Sequence, residues 1–238
     1  MKIGILKCGH ANDKVIAEHG DYERWFEKLL ADKDLEFAAY NVVDLEFPAS
    51  VSDCDGWLLT GSRHGAYEDH PFIAPLEDFI RAAYSAHVPM VGICFGHQLI
   101  AQALGGKVEK YSGGWAMGNR TYDWNGLGDV ALNAWHQDQV VTPPKGAKIL
   151  AGNDFCKYAA LIYDDRAWTV QAHPEITNDL VTAYLDAFAG TDVYPQSDMD
   201  TARALEKQPN SANKIADEIA AFFKKPRNTR IKQKASHV

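Results

Sequence analysis

Short apolar runs alternate with amphipathic stretches through the first two-thirds of this chain. The runs "KIGILK" (2–7), "LEFAAYNV" (35–42), "DGWLLTG" (55–61) and "VPMVGIC" (88–94) read as strands. Between them, "YERWFEKLL" (22–30) carries Trp25, Phe26, Leu29 and Leu30 at helical spacing. The segment "PLEDFIRAAYSAH" (75–87) has a proline near its start and apolar residues at 76, 79, 80 and 83, and "HQLIAQALGG" (97–106) is a helix closed by glycine. Strands that are apolar throughout are buried on both faces, and helices between them act as crossovers. The pattern predicts an α/β fold, a three-layer, doubly wound, mostly parallel central sheet.

After Gly106 the texture changes. Residues 107–140 are rich in Gly, Trp, Tyr and Asn and show no helical period, which predicts β-structure and long loops. "AKILAGN", "YAALIYDD" and "AWTVQAH" then read as short strands, the last ending at His173. "NDLVTAYLDAFAG" (178–190) is a helix with a glycine stop, and two amphipathic helices are expected near 198–207 and 211–224. The end, "KKPRNTRIKQKASHV", holds almost nothing apolar and reads as a frayed, solvated tail. No repeat and no interdomain linker is visible. The expected organisation is residues 1–190 as the main domain and 191–238 as a helical extension with a basic tail, packed on the same domain.

Composition narrows the function. With 238 residues, 46% of them hydrophobic, the chain can bury a sizeable core. A net charge of -8 argues against a nucleic-acid partner. No apolar stretch has membrane length and no signal peptide is seen, so a cytoplasmic protein is expected, as monomer or homodimer. Cys8, Cys54, Cys94 and Cys156 are scattered, with no zinc-ligand spacing, and read as reduced thiols.

One of these thiols interrupts an apolar run. In "VGICFGHQ" (91–98) Cys94 stands between Gly92 and Gly96, where a buried strand must reverse into a helix. Small residues fit such a tight turn, as in the G-x-S-x-G nucleophile elbow. The helix N-terminus favours thiolate, and its free N–H groups can hold a developing oxyanion. A cysteine nucleophile needs a base, and the base needs an orienting group. His173, in "TVQAHPEI", lies at the end of an apolar run, and Pro174 forces the chain out of the sheet there. Glu175 can fold back onto the imidazole, fixing its tautomer. A strand-end histidine alone is usually a satisfied surface group, but the His-Pro-Glu tripeptide joined to a cysteine elbow favours a triad.

The elbow "GICFGHQLIAQALGG", the distal "QAHPEI" and the glycine loop "LLTGSRHGAYED" (58–69) resemble, in content and order, the class I (triad) glutamine amidotransferases. "HQDQVVTPP" (136–144) is similar to the H-x-D-x-V turn of stand-alone members related to the glutaminase domain of GMP synthase. The resemblance implies that Cys94 forms a γ-glutamyl thioester, that His173 serves as acid and base, and that Glu175 orients it. It implies an oxyanion hole from the N–H groups of Gly61 and Phe95. Gln98 would help hold substrate, and backbone near Gly114 and Trp115 would face its α-groups. No cofactor and no metal is implied. His97 and the His64/His70 pair read as packing or pocket-wall residues, with no carboxylate or Cys at supporting spacing for a metal.

The substrate implied is glutamine or another γ-glutamyl amide. No P-loop is present, and the roughly 60 residues after the triad are too few for a synthase domain. Ammonia would pass to a separate synthase, or the enzyme would simply hydrolyse its substrate. Two alternatives stand beside this reading. One is a γ-glutamyl peptidase or hydrolase acting on a larger γ-glutamyl compound, its pocket widened by the Trp-rich segment 111–125. The other, from a different class, is a redox-sensing protein with an elbow cysteine on a similar sheet, which would have no use for a His-x-Glu pair.

Overall fold

The computed structural model describes residues 1–227. It opens with β1 (Lys2–Leu6), α1 (Asp13–His19), α2 (Tyr22–Leu29) and β2 (Glu36–Tyr40). Next come β3 (Gly56–Leu59), α3 (Ile73–Ser85), β4 (Met90–Ile93) and α4 (Phe95–Ala103). A β-rich stretch follows: β5 (Lys107–Lys110), β6 (Ala116–Trp124), β7 (Gly128–His136), β8 (Asp138–Thr142), β9 (Lys148–Gly152), β10 (Ala160–Tyr163) and β11 (Ala167–Val170). The last helices are α5 (Asn178–Ala187), α6 (Gln196–Leu205) and α7 (Ala212–Lys224).

Nine strands form one mixed sheet in the order β2-β1-β3-β4-β11-β10-β9-β6-β7. It is parallel at its core, from β2 through β1, β3 and β4 to β11. The remaining strands add on antiparallel. β5 and β8 pair separately. Successive strand residues point to opposite faces. Leu58 therefore joins Ile3, Val91 and Ile93 in one core, while Trp57 and Leu59 join Met90, Leu76 and Leu99 in the other. Helices α2, α5 and α7 cover the first face, and α3 and α4 the second. The predicted three layers are thus two cores separated by a sheet.

Three local differences have physical causes. Helix α1 is absent from the hydrophobic pattern because it buries only Val15. It is held by the Asn12 side chain, which accepts the Lys14 N–H at 3.0 Å, and by Gly20 at its end. β11 stops at Val170, short of His173, because its partner β4 ends at Ile93 in the elbow. The chain then crosses to β7, where the His173 N–H donates to Asn133 O at 2.8 Å. At the start of the basic end, Arg227 is half-buried and not fully solvated. Its guanidinium donates to the carbonyls of Phe222, Phe223 and Asp165 at 2.6, 2.9 and 2.9 Å, satisfying orphan groups at the end of α7. Residues 228–238 of that end lie outside the described residues.

The helices of the extension share the first core. Met199 and Ala202 of α6, and Ile215, Ile219 and Phe223 of α7, are buried with Ile3 and Ile5. All four cysteines are unpaired and buried. No described helix is long and apolar enough to cross a membrane.

Candidate active site

Cys94 sits at the N-cap of α4 with φ 52° and ψ −102°, a conformation that side-chain-bearing residues rarely adopt. The two flanking glycines explain how the chain tolerates it. A Cβ on Gly92 would lie 2.6 Å from the Gly96 carbonyl oxygen, and one on Gly96 would lie 2.5 Å from Leu59 O. The Gly96 N–H also donates to Thr60 O at 3.1 Å, which ties the elbow to the end of β3.

The parallel pairing of β4 with β11 brings the distal motif to the elbow. His173 and Glu175 are both almost fully buried, and the Nδ1 atom of His173 lies 2.6 Å from Glu175 Oε1. That bond leaves Nε2 as the free ring nitrogen. Burial opposes a charged imidazole, but the charges of Glu175 and Cys94, with the hydrogen bond to Glu175, hold His173 well above its ordinary pKa. A buried amide chain braces the thiol: Gln98 Nε2 donates to Asp138 O at 2.9 Å and to Gln171 Oε1 at 3.2 Å, and Gln171 Nε2 lies 3.6 Å from Cys94 Sγ. The elbow, the histidine and the carboxylate expected from sequence therefore come together.

The other expected residues separate into two groups. Gly61 lies against the His173 ring and Phe95 follows the thiol; among the described residues neither N–H donates to another group. Gln98 lines the same cavity as Cys94, but its amide protons are given to the protein, leaving only its carbonyl oxygen for a ligand. Trp115 borders both the cavity that Cys94 lines and the one that His173 lines, whereas Gly114 lines a shallower outer cleft.

Two cavities meet here. Cys94 lines a polar one of about 210 Å³, with Arg63, Lys110, His136 and Asp138 on its walls. His173 lines a second, of about 430 Å³, walled by Tyr22, Trp115, Trp135, Tyr184, Phe188 and Tyr194. These rings pack edge-on: Trp135 to Tyr194 at 5.3 Å, and Trp115 and Phe188 each to Tyr194 at 4.9 Å. They come from segments spread across most of the chain, so no local pattern announces them.

Histidines other than His173 differ in kind. His97 is fully buried with Nδ1 2.8 Å from Thr169 Oγ1, and burial pushes its pKa down to about 3, a core group as expected. His136 was legible only as part of the H-x-D turn. It lines the polar cavity, its Nδ1 donates to Asp138 O at 3.2 Å, and burial followed by the charge of His173 lowers its pKa to about 3. The expectation that no carboxylate supports His64 and His70 fails: Glu68 lies between them, with Oε2 2.8 Å from His70 Nε2 and 3.9 Å from His64 Nδ1. An irregular loop, turned by the Gly65 N–H donating to Glu68, makes this cluster, and helical or strand spacing would not.

Comparison with known proteins places this geometry. The sequence pattern of the family "Glutamine amidotransferase class-I" matches residues 21–189. The chain belongs to the class I glutamine amidotransferase family. This amidotransferase-family chain is 30% identical to "Gamma-glutamyl peptidase 4" of Arabidopsis thaliana, over 87% of its own length and 88% of the relative's. It is 32% identical to a glutamine-hydrolysing GMP synthase subunit of Halobacterium salinarum, over 69% of its own length and 88% of the relative's. Its fold is that of a solved glutamine amido transferase from Methylobacillus flagellatus, with a TM-score of 0.74, 22% identity, and coverage of 94% and 93% of the two chains.

Proposed function

We propose that this chain hydrolyses γ-glutamyl amides through a thioester on Cys94, and that the amine it releases is larger than ammonia. With its proton held on His173, Cys94 Sγ attacks the γ-carbonyl carbon, and the carbonyl oxygen becomes an oxyanion held by the N–H groups of Gly61 and Phe95. His173, protonated and oriented by Glu175, gives its Nε2 proton to the amide nitrogen as the C–N bond breaks. A water then gives a proton to His173 and attacks the thioester; the C–S bond breaks and glutamate leaves.

One observation carries the choice of leaving group. The acid that protonates the departing nitrogen must lie beside it, so the leaving group occupies the side that His173 faces. That side is the aromatic cavity of about 430 Å³, far more space than ammonia needs. The glutamyl part then falls to the smaller polar cavity, where Arg63, Lys110 and Asp138 offer both charges to an amino acid's α-groups. Kinship with a γ-glutamyl peptidase supports the same reading. Kinship with a glutamine-hydrolysing GMP synthase supports a second, in which glutamine is hydrolysed and ammonia passes to a separate synthase. The buried His173–Glu175 pair counts against a sensor thiol, which has no task for it.

The deciding assay measures kcat/KM for glutamine, γ-glutamyl dipeptides and γ-glutamyl arylamides. Preference for the larger amides by at least tenfold is expected. Preference for glutamine would favour the second reading, and no turnover of any γ-glutamyl amide would overturn both.

A further inference from the structure

The cluster His64–Glu68–His70 is not used by the proposed chemistry. Its three donor atoms lie within 4.8 Å of one another. We propose that it is a binding site for one divalent transition-metal ion of the zinc class. Zinc binds imidazole nitrogen and carboxylate oxygen at about 2.0–2.2 Å, which sets tetrahedral donors roughly 3.4 Å apart. The observed separations of 2.8 and 3.9 Å from Glu68 Oε2 bracket that value. Side-chain shifts of less than about an ångström close the set around an ion.

A hydrogen bond explains only half of the arrangement. His70 Nε2 bonds to Glu68, but His64 Nδ1 faces the same oxygen from 3.9 Å, beyond hydrogen-bond reach, and its imidazole has no hydrogen bond among the described residues. The two rings lie 4.0 Å apart, centroid to centroid, with 54° between their planes. Two imidazoles converging on one carboxylate oxygen is what a shared cation organises.

The surroundings match a ligand set as well. Glu68 Oε2 also accepts the Gly65 N–H at 3.0 Å, and the His64 N–H donates to Ser62 Oγ at 3.1 Å, so the loop orients its ligands. Both rings pack against buried Phe72, at 5.8 and 6.0 Å, and Phe72 packs at 6.0 Å on Phe95, the residue after the thiol. His64 and Glu68 line the cavity that Cys94 and Gln98 also line. An ion here forms part of the wall of that cavity and is connected by packing to the elbow.

The test is calorimetric titration of the tag-free full chain with zinc chloride, with visible and near-ultraviolet absorption of the cobalt(II) form. One equivalent should bind, and cobalt should show ligand-field bands without thiolate charge transfer, which separates this site from the cysteines. His64→Ala, His70→Asn and Glu68→Gln should each weaken zinc binding at least tenfold while far-ultraviolet dichroism and Tm match the parent. If a variant fails to fold, the cobalt spectrum of the parent decides. Absence of binding, binding unaffected by the folded variants, or a thiolate charge-transfer band would overturn the site.

Discussion

Gly61 and His173 are in contact: a Cβ added to Gly61 would lie 2.9 Å from the Cε1 atom of the His173 ring. The loop that carries a proposed oxyanion donor is thus packed on the proposed acid and base. Gly61→Ala should displace the ring or the loop by a few tenths of an ångström. The expected result is a fall in kcat/KM on the order of 100-fold, with far-ultraviolet dichroism unchanged. Parental activity in Gly61→Ala would place the acid and base elsewhere.

Cys94 should be the one thiol that reacts as a nucleophile. Burial pushes Cys8 and Cys156 up to about 12 and raises Cys54, so these three stay protonated and shielded at neutral pH. A γ-glutamyl electrophile should label Cys94 alone, as read by tandem mass spectrometry. Cys94→Ala should abolish turnover without unfolding the chain. Label found chiefly on another cysteine would refute the assignment.

The Glu175 carboxylate should set the alkaline side of the pH profile. It raises His173 against the opposing effect of burial, so the imidazolium outlasts an ordinary histidine as pH rises. Its stabilising effect is complete below about 6.5, the unfolded value, and is lost as pH climbs through the higher folded pKa. Glu175→Gln should move the alkaline limb of kcat/KM toward lower pH and reduce its maximum by roughly 10³–10⁴-fold, less than the loss in Cys94→Ala. An alkaline limb that stays in place would show that Glu175 does not hold the proton on His173.

Trp115 should discriminate between substrates. It borders both cavities and packs edge-on against Tyr194 at 4.9 Å. Removing an aromatic wall costs a bound apolar group about 1.5–3 kcal/mol, or roughly 10–100-fold. Trp115→Ala should lower kcat/KM by that factor for γ-glutamyl arylamides and much less for glutamine. Equal losses would argue that the leaving group does not reach this wall.

Asp21 should matter for stability. Its carboxylate is buried, accepts the N–H groups of Ala11 and Tyr22, and lies 2.9 Å from Lys7 Nζ and 2.8 Å from His10 Nδ1. Burial works against its charge, but these partners hold its pKa below the usual carboxylate value. Its contribution is therefore present above about pH 4 and is lost as pH falls. Asp21→Asn leaves Lys7 buried with Glu23 as its remaining carboxylate, and should cost about 3 kcal/mol in urea unfolding at pH 7. The difference from the parent should shrink in acid.

Much of this was legible along the chain. The elbow was readable because a strand that reverses into a helix within a few residues admits only small neighbours, and Gly92 and Gly96 are local to Cys94. His-Pro-Glu was readable because proline ends a ladder and Glu175 reaches back only two residues. The parallel core was readable because its strands lack polar alternation. Helix α1 was not, since one buried residue makes no period. The end of β11 was not, since a strand stops where its neighbour stops, and that neighbour, β4, lies more than seventy residues away in sequence.

Sequence alone therefore determined what depends on near neighbours: the strained turn at Cys94, the Glu175 carboxylate beside His173 and the family these motifs mark. Tertiary structure decided what depends on convergence. Pairing of β4 with β11 brought His173 to the thiol. Folding of an irregular loop set Glu68 between His64 and His70, against the expectation from spacing. Rings from Tyr22 to Tyr194 closed around one side of His173 and made the larger cavity. Periodicity records which residues are buried, because burial repeats with each turn or pleat. It does not record which buried or loop residues meet, because that is set by strand order and by loop conformations that have no repeat.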